Sequence, residues 1–392
     1  MYNSGLATPY WFHKRMRKAG TLSALSGALT AGLLMWAPSA SADQLIQKVS
    51  VPVTLEHDSN PLMSATNAQS VIKQRLAPQY TLQRVAENDE INLSVGVLIQ
   101  RTDNKNLVAD RNDPNISAGW KRSTPTGELG INAKYDESSA RTTEFDESGL
   151  VTVDRTRKSQ MLGSSWRDQL TTLLNYSVSA SYTSVTYDGG NTSALTDYNT
   201  LATVFSLGYA LDERSEVFWT LNGSQFEPQG NIGSSSETYG TMLGYKQRIS
   251  DQFDWSLQGG MVQITGTNSG SGWQGNGQLG YSGERTSISL NAGRSVSGSG
   301  VTGGFASSDQ VRGQISYALT ERASAGFDAS WIKRNGTFAS TGQTYNAWVS
   351  QEISQFWTLR LNAQRKQFEQ TAGATAEANI IGLSIIYTHP DL

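Results

Sequence analysis

The sequence predicts an all-β fold, a transmembrane antiparallel up-and-down β-barrel of about 18 strands (roughly 16–18), behind an N-terminal signal peptide. Three observations support this prediction. Apolar residues occupy every second position in many segments, a hairpin-sized unit repeats, and aromatic residues recur beside short turns. Alternation of this kind is typical of membrane-spanning strands, in which lipid-facing and lumen-facing residues alternate along about 10 residues.

The repeat lies between residues 207 and 319. Its most regular mark is a tyrosine that recurs every 36 residues (245−209, 281−245, 317−281), at Tyr209, Tyr245, Tyr281 and Tyr317. A compact polar turn follows each tyrosine, and alternation resumes after the turn. A β-propeller blade needs four strands in about 40–45 residues. This unit has two strands, so it indicates a hairpin followed by a longer connection rich in Gly, Ser and Asn.

Aromatic residues distinguish a membrane barrel from a soluble β-sandwich, whose strands would also alternate. They recur just before and just after the short turns, which is typical of the belt at a membrane interface. The predicted aromatic girdle consists of Tyr209, Trp219, Tyr245, Trp255, Tyr281, Tyr317, Trp357 and Tyr387.

Residues 1–42 have the features of a secretory signal peptide. Basic residues at positions 14, 15, 17 and 18 precede an apolar stretch from 22 to 36, and small residues lead to Ala42. This stretch is shorter than the roughly 20 residues of a membrane-spanning helix. We expect cleavage near Ala42, with residues 43–392 forming one barrel domain. A retained anchor is the alternative, and Met16 is an alternative start to Met1.

Composition limits the chemistry that the chain can perform. It contains no cysteine, so neither disulfides nor thiolate metal sites are available. The whole chain has 31 basic and 34 acidic residues. Segment 1–42 holds four basic and no acidic residues, so the remainder has 27 against 34, a net charge of −7. This balance argues against nucleic acid as a partner.

Taken in order, the elements alternate between short turns and long connections. A first strand ends near Glu56, a long connection runs to about residue 78 and includes a short helix as an option, and clear alternation follows from 91 to 99. An acidic loop is expected at 137–149, then a long strand at 170–187, the repeated hairpins, and a last strand at 379–388. In bacterial outer-membrane barrels the short turns are periplasmic and the long loops are extracellular. The predicted location is therefore the outer membrane of a Gram-negative bacterium.

Nothing in the sequence predicts catalysis, a metal site or a cofactor. His13 lies in the signal segment, His57 has no partner histidine nearby in sequence, and His389 is in the tail. A barrel hydrolase would need a converged histidine, acid and nucleophile. Residues 270–275 match the glycine spacing of a dinucleotide-binding loop, but a strand rather than a helix follows them. We expect neither an enzyme nor a cofactor.

Inward-facing charges are the candidate functional residues. A barrel of about 16–18 strands leaves an aqueous channel, and charges that line it set selectivity. Acids such as Glu56, Asp136, Asp154 and Asp328 share the inner face with seven cations, which would favour anionic solutes unless they pair with those acids. These lumen-lining candidates are Lys121, Lys134, Lys246, Arg248, Arg312, Arg360 and Lys366. The glycine-rich segment 295–308 either folds inward as a constriction or stays at the surface.

Three segments resemble a known family. They are VTLEHDSNP at 53–61 and the turns LDERS at 211–215 and LTERA at 319–323. On these segments the chain resembles the outer-membrane β-barrel porins encoded with exopolysaccharide biosynthesis genes (EpsL-like proteins). The resemblance implies a role at the outer membrane in exporting or assembling a secreted polysaccharide.

Three functional hypotheses follow. The first is a non-enzymatic channel for an exopolysaccharide or for small polar solutes. The second is a non-conducting barrel that docks periplasmic partners of an envelope secretion complex. The third, a barrel enzyme, has only His57 as a candidate residue. Outer-membrane lipid is an expected partner in each case.

Overall fold

The structure, a computed structural model, describes residues 44–148, 154–188, 195–229, 234–266, 269–299, 304–335, 339–370 and 375–390. The predicted signal peptide and its cleavage site lie outside the described residues. No helix among the described residues is long and apolar enough to span a bilayer.

The described chain consists of antiparallel strands and one helix. The first half comprises β1 (Gln44–Asp58), β2 (Val71–Leu76), β3 (Gln79–Val85), β4 (Asp89–Thr102), β5 (Arg111–Ser123), β6 (Gly127–Ser139), α1 (Ala140–Ser148), β7 (Thr156–Gln169), β8 (Leu174–Tyr187) and β9 (Tyr198–Ala210). The second half comprises β10 (Ser215–Pro228), β11 (Ser236–Arg248), β12 (Phe253–Gly266), β13 (Gly270–Ser282), β14 (Thr286–Ser299), β15 (Gly304–Ala318), β16 (Ala323–Arg334), β17 (Ser340–Ser354), β18 (Trp357–Gln370) and β19 (Thr375–Pro390).

Segments β2 and β3 form one strand interrupted at residues 77 and 78. Both pair with β1 and with β4, and the register is the same on either side of the interruption. Pro78 has no amide hydrogen, but its carbonyl accepts a hydrogen bond from Val97, and the Ala77 amide donates to Pro52. With β2 and β3 counted together, the barrel has 18 strands, so the predicted strand count is confirmed.

The sheet closes on itself because β1 pairs with β19, a contact that we call the seam. The seam pairs Lys48 with Pro390 at one end and Asp58 with Ile380 at the other. Thr54 and Ser384, which face each other across it on the inner side, are joined by a hydroxyl hydrogen bond of 2.7 Å. Closure pairs the ladder groups of both edge strands, as a barrel in lipid requires.

Short turns gather at one end of the barrel, the short-turn rim, and longer connections at the other, the long-connection rim. The turn at 211–214 shows why the short turns are compact. The Asp212 carboxylate accepts hydrogen bonds from the Ser215 hydroxyl and from the Arg214 amide. These bonds, that from Ser215 first, lower the pKa of Asp212. Asp and Ser favour such turns because their side chains bond the local backbone.

The outer face is apolar and the inner face is polar. Leu243 and Leu257 point outward and are 63% and 60% exposed, because none of the described residues covers them. Their neighbours in sequence point into the lumen, as alternation in a strand requires. The inner face holds ion pairs, including Lys73 with Glu56 and Asp58. This arrangement is the reverse of a soluble β-sandwich, whose apolar residues would face inward.

All eight residues of the predicted aromatic girdle lie on outward positions next to the short-turn rim. Neighbours make ring contacts, with centroids 5.4 Å apart for Tyr245 and Trp255 and 5.1 Å apart for Trp357 and Tyr387. A second outward set that the sequence analysis did not identify lies towards the long-connection rim: Tyr182, Tyr239, Trp273, Trp331 and Tyr345. Tyr239 precedes Tyr245 by six residues, or about 20 Å along the strand. Because such strands tilt by about 35–45°, the two belts lie about 15 Å apart along the barrel axis, within the height of about 25 Å that is typical of the apolar band.

Two local expectations were wrong. Residues 71–76, expected within a connection, are already strand, and residues 59–70 contain no helix. The acidic segment expected as a loop contains α1, which begins after Ser139, whose hydroxyl accepts a hydrogen bond of 3.4 Å from the Thr142 amide. Ser is a favoured residue at this capping position. The helix nevertheless depends on packing, since a nine-residue helix is marginal alone.

The orientation of β11 gives a matched test of which face meets lipid. We predict that Leu243→Arg lowers the free energy of unfolding by about 2–4 kcal/mol, because a cation then faces hydrocarbon near mid-bilayer. Met242→Arg, on the adjacent lumen-facing position, is the control and should cost much less. Denaturant unfolding of the barrel in liposomes measures both, and equal losses would contradict the assignment of faces.

Candidate functional site in the barrel lumen

Helix α1 extends over the lumen at the level of the long-connection rim, where the strands that contact it end or begin. It leaves β6, where the Ala140 side chain is fully buried in a cluster with Val185 and Tyr187 of β8. Farther along, the Phe145 ring packs on Phe368 of β18, with ring centroids 6.2 Å apart, and on Ala376 of β19. Since β18 and β19 are not neighbours of β6 in the sheet, α1 spans the space between two parts of the wall.

A buried hydrogen bond holds the middle of α1. The Tyr187 hydroxyl donates to the Glu144 carboxylate at 2.7 Å, and Glu144 is only 2% exposed. The buried guanidinium of Arg334 on β16 lies near enough to Glu144 to interact electrostatically. A buried carboxylate is tolerable only when it is hydrogen-bonded and its charge is compensated. Glu144 meets both conditions.

The β14–β15 hairpin also reaches inward. Phe305 near the start of β15 is buried against Phe226 of β10, with ring centroids 5.9 Å apart, although β10 and β15 are not neighbours in the sheet. Tyr198 stacks on the same Phe226 ring at 5.0 Å. Of the two alternatives for segment 295–308, the contacts favour the inward one. Residues 300–303 lie outside the described residues.

Two cavities adjoin α1. The larger, about 480 Å³, lies between Phe145 and the inner wall of β14–β18. Its wall carries many uncharged polar side chains with one cation and one anion, Arg312 and Asp328. The smaller, about 250 Å³, lies between α1, the seam and the ion pairs of β1 and β2. The larger cavity falls within the range of about 300–1,000 Å³ that is typical of small-ligand pockets, and the smaller one lies below it.

The seven predicted lumen cations all occupy inward positions in the strand registers. Three of them pair with carboxylates: Lys121 with Glu128 at 2.7 Å, Lys134 with Asp136 at 3.0 Å and Lys246 with Glu216 at 3.1 Å. For these three, the expectation that inward cations pair with inward acids describes the geometry. Their effect on solutes stays a prediction.

The other four cations have different surroundings. Arg360 stacks over the Trp348 ring at 4.5 Å, and Lys366 lies over the Phe145 ring at 5.0 Å, which ties the cavity wall to α1. Arg312 lines the larger cavity. Arg248 lies at the short-turn rim, opposite Asp254 in the register. Among the inward acids, Glu56, Asp136 and Asp328 lie on strands, and Asp154 approaches Arg111 at 3.6 Å.

A buried ion network was not identified from the sequence beyond Glu56. Lys73 bridges Glu56 at 3.2 Å and Asp58 at 2.6 Å, and Arg75 bonds the other Glu56 oxygen at 2.7 Å. The strand register of β1 with β2 brings these residues together. The sequence signal was the alternation of charges at 56, 58, 73 and 75, but the expectation of a loop up to residue 78 obscured it.

Arg141 completes the wall of the smaller cavity from the helix side. Burial lowers the pKa of its guanidinium, and the Asp154 carboxylate opposes that shift. Arginine stays cationic in such a setting, since its usual pKa exceeds about 12. Arg141 therefore adds a positive charge to the smaller cavity, beside Lys73, Arg75 and Lys366.

The two described histidines do not line these cavities. His57 points outward from β1, and His389 stacks on Phe356 at the short-turn rim, with ring centroids 5.3 Å apart. Within the described residues, no group of three or more His, Asp or Glu side chains is arranged to hold a metal ion. Residues 270–275, the accidental glycine match, form the start of strand β13.

Comparison with solved structures supports the fold. OccAB4 of Acinetobacter baumannii is similar to this chain, with a TM-score of 0.50 and 10% identity, over 90% of this chain and 100% of that chain. The outer membrane protein OpdK of Pseudomonas aeruginosa gives 0.48 and 10% over 88% and 99%, and OccAB3 of A. baumannii gives 0.48 and 11% over 88% and 99%. No protein-family profile and no curated protein matches the chain. At such low identity the likeness to OccAB4 shows the fold alone.

The hold on α1 can be tested through its amide protons. We predict that Tyr187→Phe speeds amide exchange across α1 by about 10- to 100-fold, since a hydrogen bond to a charged group contributes about 1.5–3 kcal/mol. Tyr182→Phe, on the outer face of the same strand, is the control. Exchange that is equally fast in the wild type and in both variants would show that the Glu144 bond does not hold the helix.

Proposed function

We propose that this protein is a passive, non-enzymatic outer-membrane channel for small polar solutes. The observation that carries the proposal is a closed barrel of 18 strands with a polar, charged lumen in which α1 leaves cavities instead of a packed core. An apolar outer band between two aromatic belts supports placement in a bilayer. The barrel architecture supports the outer membrane of a Gram-negative bacterium. We propose that the short-turn rim faces the periplasm and that the signal peptide is removed near Ala42.

The proposed mechanism is partial replacement of a solute's water by lumen groups. Hydroxyl and amide side chains both donate and accept hydrogen bonds, so they can substitute for hydration around a small solute. Helix α1 and the Phe305 contact narrow the path, so size selection takes place at their level. Charge selection depends on cations that are not fully neutralised by acids.

Export of an exopolysaccharide, which the EpsL-like resemblance implies, is an alternative substrate proposal. It has no separate support in the geometry, because a polymer would have to pass α1 and the inward hairpin. A non-conducting barrel that docks periplasmic secretion partners is the second alternative. Conductance distinguishes a channel from a docking barrel.

We predict steady openings with anion preference when the purified residues 43–392 are inserted in a planar bilayer. Neutralising Lys246, Arg248 and Arg360 together as glutamines should shift the reversal potential in a salt gradient towards cations. The shift includes the effect of freeing the Glu216 carboxylate from Lys246. Arg122→Gln, at an outward position near the same rim, is the control and should leave selectivity unchanged.

Two outcomes would contradict this proposal in different ways. Unchanged selectivity in the triple variant would remove these three cations from the selectivity mechanism. The complete absence of conductance in correctly folded protein would favour the docking barrel.

Size selection gives a separate prediction. Proteoliposomes should swell rapidly in mono- and disaccharides and slowly in long dextrans, because α1 divides the lumen. Deletion of residues 140–148 should raise the rate for the larger solutes several-fold, while folding is followed by heat-dependent gel mobility. Rapid dextran uptake by the intact protein would instead favour the polysaccharide alternative.

A further inference from the structure

The outer wall carries a groove of about 430 Å³ on β12–β16, facing away from the lumen. Its floor consists of outward positions without large side chains, namely Gly259, Gly275, Gly277 and Ala292. Aromatic and aliphatic side chains enclose it: Leu257, Trp273, Val311 and Trp331. The groove therefore combines a flat floor with tall walls.

The strand register makes this concavity. Leu257, Gly277, Ala292, Val311 and Trp331 lie opposite one another in one row across five strands. Gly259 and Gly275 lie in the next row. A Cβ atom placed on Gly259 would have no neighbour closer than 4.0 Å, so the space above it is open.

Charged residues lie in the same row as Gly259 and Gly275. The registers continue that row through Arg294, Asp309 and Lys333. Arg294 makes two bonds to Asp309, at 2.5 and 2.7 Å, and its guanidinium lies 4.4 Å from the centre of the Trp273 ring. Lys333 is exposed, and the described residues provide no carboxylate within ion-pair distance of its ammonium. The cluster has two cations and one anion.

The position of the groove restricts what can occupy it. It lies on the lipid-facing wall next to Trp273 and Trp331 of the second aromatic belt, at the side that faces the outer leaflet in the proposed orientation. In a bilayer, apolar surface gains nothing by leaving lipid, so selective binding must come from shape and from headgroup charge. An apolar groove beside a net positive cluster matches an acyl chain that is attached to a phosphate.

We propose that the groove binds one acyl chain of a phosphorylated outer-leaflet lipid, with its phosphate against Lys333 and Arg294. Lys333 supplies a point charge, and Arg294, oriented by Asp309 and Trp273, supplies directed N–H donors. Asn335, which donates to Asp309 at 3.1 Å, keeps that carboxylate turned to the protein. The site would thus bind a phosphorylated lipid in preference to the other lipids of the bilayer.

Native mass spectrometry of the full barrel tests this proposal, with diphosphoryl lipid A as the probe and phosphatidylethanolamine as the competitor. The wild type should retain one lipid A at concentrations where phosphatidylethanolamine is released. Gly259→Leu, which fills the groove, and Lys333→Gln, which removes its exposed cation, should each weaken retention about tenfold.

Matched controls isolate the groove from general effects. Gly223→Leu adds the same side chain to an outward glycine of β10, where a Cβ meets only ordinary contacts from 3.5 Å. Arg101→Gln removes an outward cation of β4. Both should retain lipid A like the wild type. Lys333→Gln, a surface substitution, keeps the test valid if Gly259→Leu does not fold.

Three results would overturn the proposal. Equal retention in Gly259→Leu and wild type would show that the groove holds no acyl chain. Equal loss in both controls would show that the lipid binds the barrel non-specifically. If the wild type forms oligomers without lipid and the Gly259→Leu substitution dissociates them, the occupant of the groove is a second copy of this chain.

Discussion

The requirement that every backbone N–H and C=O in lipid be paired underlies the rest of this structure. No water is available in the hydrocarbon region, so an open sheet edge would leave a row of unpaired groups. The seam meets this requirement by pairing Lys48 through Asp58 with Pro390 through Ile380. Once the sheet is closed, alternation assigns one face to lipid and the other to the lumen. The strand number then sets the width of that lumen.

A lumen of this width must be filled by water or by protein, and here α1 occupies part of it. Helix α1 and the Phe305 contact bring apolar side chains inside a polar wall, and several buried charges near them have compensating partners. The Glu144–Tyr187 bond and the Lys73 network are examples. In the proposed channel, solute selection would therefore depend less on the number of inward cations than on which of them are neutralised by acids. Three of the seven inward cations, the lysines at 121, 134 and 246, form ion pairs with carboxylates.

The sequence predicted the antiparallel barrel and its number of strands. A two-residue period is local, and the lipid boundary imposes it on every strand, so a single chain shows it clearly. Helix α1 was not predicted because the residues that stabilise it, Tyr187, Phe368 and Ala376, are distant from it in sequence. The groove on the outer wall was not predicted for a related reason. Glycines at 259, 275 and 277 form its floor only when neighbouring strands are in register. Pairing of this kind is a tertiary property.

The seam has a further consequence for how the molecule forms. Thr54 and Ser384, which meet across it, are 330 residues apart, so the contact that completes the barrel is among the last that a growing chain can make. Contacts of such high sequence separation are slow to form because the loop entropy must be lost before they contribute. Until then β1 and β19 are both free edges, and free edges pair readily with other chains. Barrel closure and aggregation therefore compete during the folding of this protein. A catalyst that holds β1 until β19 is available to pair with it would raise the yield of closed barrel.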